Sequence, residues 1–366
     1  MSNNTKVIPV PISVSVMDPE TKWEQNRIKY SEHTSYKKLI KSVSIRDKFL
    51  ATLVFISKFN LLLLKRFISY ERIPKHIREA SSVRAKLQFL WAAIRNIFSI
   101  KKSPSTSFSD SIILKELEKN GCCVIQLDED SLNLLTSQAA PFFEELRKER
   151  NMNNEGERNF NESRFELSYT GKGKNLFDTC KQILSQNNVL KSVSMYLGKP
   201  AKLVGLSPQI NDRTDSFWKN IFADLKLAKI PKTAYFHRDA SGGDIKAIFY
   251  LTDVDELTGP FSYVVGSHKL NFSSLDNLIC EANDFNLSST DLETRKKFAA
   301  LPSKLQQKGS FGNDLSDESQ LSLDICNSTW KITGKKGSIV IFDTKGVHRG
   351  GMVESSERLV ITTVIG

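Results

Sequence analysis

The sequence predicts a mainly β domain with flanking helices, an α+β fold class, over residues 108–366, preceded by a basic helical extension. From about residue 230, short runs of β-branched and aromatic residues are bounded by Gly, Pro and Asp, as is typical of strands. Before that point, apolar residues recur at helical spacing. The strand runs are Ile245–Leu251, Ser262–Val265, Gly337–Phe342 and Leu359–Ile365. A chain of 366 residues with 40% apolar residues suits one large globular domain or two smaller ones.

The net charge of +11 is unevenly divided along the chain. Residues 1–107 hold 20 Lys and Arg against 7 Asp and Glu, which gives +13, whereas residues 108–366 hold 32 against 34, which gives −2. We therefore divide the first third into a flexible leader over residues 1–34 and a basic helical extension over residues 35–107. The extension ends in a linker, which is indicated by the Ser- and Pro-rich segment Ser103–Ser107.

Two apolar stretches in this extension predict helices. Phe49–Leu64 is a 16-residue run interrupted by Lys58 and Asn60, and it is shorter than the roughly 20 apolar residues of a membrane span. Arg84–Lys102 places apolar residues at helical spacing among basic ones. Residues 35–102 are therefore either an amphipathic surface for an anionic membrane or an acidic partner, or a helical cap on the main domain. Nucleic acid is not expected as a partner, because the aromatic residues follow helical spacing.

The remaining composition favours a cytoplasmic, reducing location. Met1–Lys22 lacks the charged start, apolar stretch and cleavage site of a signal peptide. The five Cys show no paired spacing, which argues against a disulfide framework and a zinc ribbon.

Between the linker and the first strand run, helices dominate. A helix N-capped by Ser109 or Asp110 is expected to end at Gly121 in a left-handed conformation. The further elements are a strand at Cys122–Leu127, helices at Ser131–Arg147 and Asn175–Leu197, and a strand at Ala201–Leu206. Residues 270–330 are polar and helix-like, and they predict a helical insertion over the mouth of a pocket.

The candidate functional residues are His237, Asp239, His348 and Arg358. In a strand, His237 and Asp239 point to the same face, and a barrel can bring the turn at His348 beside them. Two imidazoles and one carboxylate can bind one face of a ferrous ion and leave three positions open. Arg358 can hold the carboxylate of a co-substrate. The competing interpretations are a surface His–Asp pair, a core histidine, and an Arg358 ion pair with Glu354 or Glu357.

Two further residues lie close to this pattern in the sequence. His268, within Gly266–Lys269, is either a fourth metal ligand or a residue that orders a turn beside the pocket. Asp343 is either a hydrogen-bond acceptor for a ligating imidazole or a turn-capping residue.

From about residue 110 to the C-terminus, the chain resembles the phytanoyl-CoA dioxygenase family of Fe(II)/2-oxoglutarate-dependent oxygenases. The order and spacing of several short motifs carry the resemblance. They are Leu114–Leu127, Tyr196–Gly198, His237–Asp239, Tyr250–Val254, Gly259–Phe261, Gly266–Lys269, Gly337–Asp343, His348–Gly350 and Arg358.

The resemblance implies a double-stranded β-helix, a jelly-roll-like barrel of the cupin type. It also implies Fe(II) bound by His237, Asp239 and His348, and 2-oxoglutarate held by Arg358. Dioxygen is then the second co-substrate, succinate and carbon dioxide are released, and a small-molecule or lipid-like substrate is hydroxylated. Related halogenases have a small residue at the position of Asp239, so a carboxylate there favours hydroxylation, or a related desaturation or ring closure.

The chain departs from the family pattern at two positions: Leu251 stands where an aromatic residue is usual, and Gly350 where a hydroxyl residue is common. Both departures concern secondary co-substrate contacts, and they argue against phytanoyl-CoA as the substrate. Two other functions stay open. One is a non-catalytic barrel whose N-terminal helices bind a membrane or partner. The other is a nucleic-acid demethylase, which usually has a second Arg where this chain has Val364.

Overall fold

The structure is a computed structural model. It describes residues 6–21, 41–68, 82–98, 111–152, 164–212, 232–239, 244–270, 292–307 and 317–366, together with residues 275, 278, 279, 282 and 315. The linker predicted at Ser103–Ser107, and the parts of the leader and of the 270–330 insertion not included in these ranges, lie outside the described residues.

Helices precede and flank the strands. The helices are α1 (Ile45–Phe67), α2 (Val83–Phe98), α3 (Ile112–Asn120), α4 (Glu129–Met152), α5 (Lys174–Gln186), α6 (Val189–Leu197), α7 (Leu292–Ala299), α8 (Ser303–Gln307) and α9 (Gln320–Asn327). The strands are β1 (Lys6–Ile8), β2 (Cys122–Gln126), β3 (Leu203–Asn211), β4 (Ile245–Tyr250), β5 (Phe261–Val264), β6 (Thr329–Ile332), β7 (Ser338–Asp343), β8 (His348–Arg349) and β9 (Arg358–Ile365). The predicted mainly β, α+β class is confirmed.

The strands form two antiparallel sheets. The larger has the order β1-β2-β7-β4-β9-β3, and the smaller has the order β6-β5-β8. An isolated bridge between His237 and His348 extends the smaller sheet beyond β8. Strand pairing therefore brings the two predicted metal-ligand segments side by side, although they are far apart in the sequence.

The period-two alternation of the strands builds two apolar layers. In β7, Ile339 and Ile341 face the helices, where they join a core with residues of α3, α4, α5 and α6. Val340 and Phe342 face the other way and pack with Phe261 of the smaller sheet. The two sheets thus enclose an apolar interior, and the helices cover the outer face of the larger sheet.

Several helix ends differ from the sequence-based expectations. The N-cap of α3 is Ser111 rather than Ser109 or Asp110, because the Ser111 hydroxyl accepts the backbone N–H of Leu114. Gly121 ends this helix with φ +77°, as predicted. The single helix expected at Asn175–Leu197 is two helices, since Asn188 adopts a left-handed φ of 59° between α5 and α6.

Part of the predicted leader packs on the domain. Lys6–Ile8 pairs with β2 as an edge strand. Met17 is buried, and its backbone N–H donates to the carbonyl of Val265. Residues 6–21 therefore add to the folded domain, in contrast to the flexible leader expected over residues 1–34.

The described part of the 270–330 segment contains α7, α8 and α9. Its α9 side chains Leu321 and Ile325 pack with Val264 and Val347, which lie on the outer face of the smaller sheet. This helix therefore covers that sheet from outside, whereas the sequence suggested an insertion over a pocket mouth. No helix in the described part of the chain combines the length and apolar character that a membrane crossing requires.

Candidate metal centre

His237 and His348 are held together by their own backbones. The N–H of each residue donates to the carbonyl of the other, at 2.9 Å in both directions. The ring centroids are 4.5 Å apart. This backbone pair fixes the two Cα positions and so places the two imidazoles side by side.

Hydrogen bonds to backbone carbonyls set the tautomer of both rings. Nδ1 of His237 lies 2.9 Å from the carbonyl oxygen of Tyr235, and Nδ1 of His348 lies 2.9 Å from that of Gly346. A carbonyl only accepts, so each Nδ1 carries the proton and each Nε2 presents a lone pair. Tyr235 itself has a left-handed φ of 65°, an uncommon conformation for a residue other than glycine, at the entrance to this segment.

Asp239 completes a set of three donor atoms. Its Oδ1 lies 3.6 Å from Nε2 of His237 and 3.6 Å from Nε2 of His348. One ligand atom from each residue falls within 4.8 Å of the others, so the group could hold a metal ion. Two neutral imidazoles and one carboxylate on one side of a cation are the donor set of non-haem iron centres, and they leave coordination positions open.

Lys246 contacts the other oxygen of this carboxylate. Its Nζ lies 2.6 Å from Asp239 Oδ2, which leaves Oδ1 for the metal. Burial alone would raise the pKa of Asp239, but His348, Lys246 and His237 together hold it below its usual range. Lys246 was not among the residues predicted from the sequence. The only signal was its period-two relation to Ile248 and Tyr250, which line the interior.

Burial keeps His237 neutral near physiological pH. It lowers the pKa of the His237 imidazole to about 4, with a further contribution from His348, while Asp239 acts in the opposite direction. A neutral imidazole is the form that binds metal ions, so the site is ready to bind a cation without first releasing a proton from this ring.

Arg358 lies in the interior with unused hydrogen-bonding capacity. It is 6% exposed. Among the described residues, its Nε and Nη1 have no hydrogen-bond partner. It pairs in register with Asn211 of β3, whose Nδ2 is also buried and without a partner. Burial lowers the pKa of the guanidinium, opposed by the neighbouring Tyr250. Buried donors without partners are costly, so this pair has the character of a site for an anionic ligand.

Three residues near the predicted site have contacts elsewhere. Glu357 pairs with Arg147 at the surface.

His268 is not in the metal-binding group. Its Nε2 lies 3.3 Å from the backbone carbonyl oxygen of Glu118, so it orders the turn after β5. Asp343 accepts the hydroxyl of Tyr196 at 2.6 Å and caps the turn to Lys345. It is therefore not the acceptor for either imidazole of the candidate centre, since both use backbone carbonyls.

Arg349 links the segment before His237 to the segment that contains His348, on the outer side of the smaller sheet. Its Nη1 donates to the carbonyls of Lys232 and Ala234, at 3.0 and 2.9 Å. Its guanidinium lies 4.2 Å from the centroid of the Phe236 ring. The residue after His348 therefore holds the residue before His237, a role that the sequence pattern did not indicate.

No protein-family model matches this sequence, and no curated protein does. Several solved structures are similar to it. AviO1 from Streptomyces viridochromogenes Tue57 is 12% identical, with a TM-score of 0.39 and coverage of 72% of this chain and 96% of that one. The epimerase SnoN, in complex with Fe3+, alpha ketoglutarate and nogalamycin RO, is 14% identical, with a TM-score of 0.39 and coverage of 69% and 81%.

EctD from S. alaskensis, with 2-oxoglutarate and 5-hydroxyectoine, is 12% identical, with a TM-score of 0.43 and coverage of 73% of this chain and 80% of that one. At these identities and TM-scores, the likeness assigns neither a family nor a substrate to this chain.

Proposed function

We propose that this chain is an Fe(II)/2-oxoglutarate-dependent dioxygenase of the phytanoyl-CoA dioxygenase type, which hydroxylates a small-molecule or lipid-like substrate. The observation that carries the proposal is the convergence of His237 Nε2, His348 Nε2 and Asp239 Oδ1 within 4.8 Å. Bound iron with 2-oxoglutarate supplies dioxygen activation for insertion of oxygen into a substrate C–H bond, with release of succinate and carbon dioxide.

The proposed fold is a double-stranded β-helix. Along the chain, β3 lies in the larger sheet, the His237 segment beside the smaller one, β4 in the larger, and β5 and β6 in the smaller. Then β7 lies in the larger sheet, β8 in the smaller and β9 in the larger. This alternation between two facing antiparallel sheets supports a jelly-roll-like barrel.

The residues around the three ligands have distinct proposed roles. The backbone carbonyls of Tyr235 and Gly346 keep the protons of His237 and His348 on Nδ1, so that Nε2 stays free for the cation. The rings of Phe342 and Phe261 are tilted against that of His348, with centroids 5.0 and 5.8 Å away. These aromatic rings exclude water from one side of the site.

Arg358 and Asn211 are the proposed site for the distal carboxylate of 2-oxoglutarate. Their partnerless N–H groups lie on neighbouring strands in register, and a planar guanidinium can donate two parallel hydrogen bonds to a carboxylate. Bound in this way, the co-substrate would satisfy donors that are otherwise buried without acceptors. Asp239 supplies a carboxylate ligand at the position where related halogenases have a small residue, and this supports hydroxylation over halogenation.

Succinate release tests this function. The purified full chain, supplied with Fe(II), 2-oxoglutarate and a panel of small-molecule and lipid-like compounds, is expected to form succinate with at least one of them. His237→Ala is expected to lose bound iron, whereas His268→Ala, outside the ligand group, is expected to retain it. Stoichiometric iron in His237→Ala would contradict the assignment. If 2-oxoglutarate fails to raise the melting temperature, the non-catalytic barrel is favoured instead.

A further inference from the structure

Helix α1 presents its large apolar side chains to solvent. None of its 23 residues is buried. Ten large apolar side chains are exposed by 47% or more. They are Ile45, Phe49, Leu50, Leu53, Val54, Ile56, Leu61, Leu63, Leu64 and Phe67. At about 1.5 Å per residue, this surface is roughly 34 Å long. An exposed apolar surface of this extent marks an interaction site in a folded protein.

Unlike an ordinary surface helix, α1 turns most of its large apolar side chains outward. Its half-buried residues form one stripe, made of Ala51, Thr52, Phe55, Lys58, Phe59, Leu62 and Lys65. That stripe contains two lysines, and the helix contacts α7. A surface helix packed on a core normally turns its apolar stripe inward and its charges outward. The outward apolar face of α1 therefore fits an apolar environment outside the protein.

Helix α2 repeats this arrangement. Val83, Leu87, Leu90, Trp91 and Ile94 are exposed by 39% or more and share one face at helical spacing. Ala93, on a different side of the helix, is buried. Tryptophan side chains are enriched at membrane–water interfaces, and an exposed tryptophan within an apolar stripe is typical of helices that lie there.

Charge indicates what covers these faces. The sequence of α2 contains three basic residues and no acidic one, and Arg84 and Lys86 lie in its first turn. In α1, five basic residues accompany a single acidic one, Asp47. Asp47 is engaged in a capping box with Ser44. An anionic membrane surface offers negative headgroups and an acyl boundary into which apolar side chains insert by about 5–10 Å.

We propose that α1 and α2 form a peripheral docking surface for an anionic lipid membrane and lie in the plane of its interface. Their exposed apolar side chains enter the acyl boundary, and their exposed basic residues, such as Arg46, Lys48, Arg84 and Lys86, contact the headgroups. Neither helix is suited to cross the bilayer. The proposal is independent of the metal centre and of the reaction assigned to it, since it depends only on residues 45–67 and 83–94.

Co-sedimentation of the full chain with vesicles tests this surface. Binding is expected with vesicles of phosphatidylcholine and phosphatidylserine, and much less with phosphatidylcholine alone. Leu87→Glu is expected to reduce binding at least fivefold, because it places a carboxylate in the apolar stripe. Gln88→Glu is the matched control: it makes the same change in net charge at the adjacent exposed residue, outside the stripe, and is expected to retain most binding.

Three results would overturn the proposal: no binding of the full chain to anionic vesicles, equal binding of the Leu87→Glu and Gln88→Glu variants, or binding that ignores lipid charge. Light scattering without lipid identifies the main rival, a second copy of this chain. A dimer that Leu87→Glu converts to a monomer, in a protein that ignores vesicles, would assign the surface to self-association. Unchanged circular dichroism and melting temperature in each variant verify that the fold is intact.

Discussion

Lys246 Nζ lies 2.6 Å from Asp239 Oδ2, while Oδ1 of the same carboxylate lies 3.6 Å from Nε2 of both His237 and His348. The lysine and the imidazoles thus use different oxygens of one side chain. In the proposed metal centre, this ion pair would leave Oδ1 as the single ligand atom of Asp239. A carboxylate free to use both oxygens would occupy a position that the proposed co-substrate or dioxygen requires.

Replacement of Lys246 by Met should therefore impair turnover more than iron binding. We expect kcat to fall roughly tenfold or more, the usual scale for the loss of a residue that orients a metal ligand. Lys246→Arg should restore much of the activity, because a guanidinium can pair with the same oxygen. The measurements are succinate formation under saturating co-substrate and iron content after gel filtration.

Lys331→Met is the matched control for this experiment. Lys331 also lies on a strand and pairs with a carboxylate, Glu256, at 2.8 Å, but both side chains are more than half exposed. Exposed pairs contribute little to stability or geometry. An unchanged kcat in Lys246→Met, equal to that of Lys331→Met, would show that the ion pair does not position Asp239.

Replacement of Arg358 by Met should separate co-substrate binding from folding. The KM for 2-oxoglutarate is expected to rise at least tenfold, because the buried donors proposed to hold its carboxylate are lost. The stability of the ligand-free protein should not fall, since a buried guanidinium without an acceptor is itself costly. In a thermal-shift assay, 2-oxoglutarate should raise the melting temperature of the wild-type protein and not that of the variant.

Arg147→Met serves as the control for Arg358→Met, because it removes an exposed guanidinium that pairs with Glu357. It should leave both KM and the 2-oxoglutarate shift unchanged. A normal KM in Arg358→Met would exclude the interior guanidinium as the carboxylate site and direct attention to other donors.

Much of the site follows from local sequence, but not its supporting residues. In an extended segment, the His237-x-Asp239 spacing places both side chains on one face without tertiary information. Lys246 could not be assigned, because the predicted strand Ile245–Leu251 does not reveal which face turns inward until β4 pairs with β7 and β9.

Asn211 was missed for a related reason. The predicted strand ended at Leu206, whereas β3 continues through Pro208 to Asn211. Pro and Asn are unfavourable in strands, and here pairing with β9 overrides that local preference. The packing of residues 6–21 likewise depends on a non-local contact, here the pairing of β1 with β2.

The pH dependence of the metal-free protein should report the burial of His237. Its pKa of about 4 in the folded chain lies below the usual 6.5, mainly because of burial. Between these values the unfolded state binds more protons, so stability falls as pH falls from 6.5 towards 4 and is retained above 6.5. From pH 7 to pH 5 this loss is about 2 kcal/mol. Denaturant unfolding should show a smaller loss in His237→Gln than in the wild type, and the remaining loss is expected from His268, whose pKa burial also lowers.

The choice of pH 5 as the lower limit separates His237 from Asp239, whose unfolded-state pKa of 3.8 lies below the window. An equal pH slope in the wild type and in His237→Gln would mean that the imidazole titrates normally, and that the site is more open to water than its burial indicates.

Replacement by Ala is expected to have a large effect at Gly351 and almost none at the adjacent Gly350. A Cβ at Gly351 would lie 2.4 Å from the backbone carbon of Gly259, where neither chain segment can give way, whereas a Cβ at Gly350 meets nothing within 4 Å. Gly351→Ala is therefore expected to destabilise the protein by roughly 1–3 kcal/mol and to weaken iron binding, because the displaced segment follows a ligand. Gly350→Ala should leave both unchanged within about 0.5 kcal/mol. Denaturant unfolding and iron content check the pair, and equal effects of the two substitutions would contradict the close backbone contact.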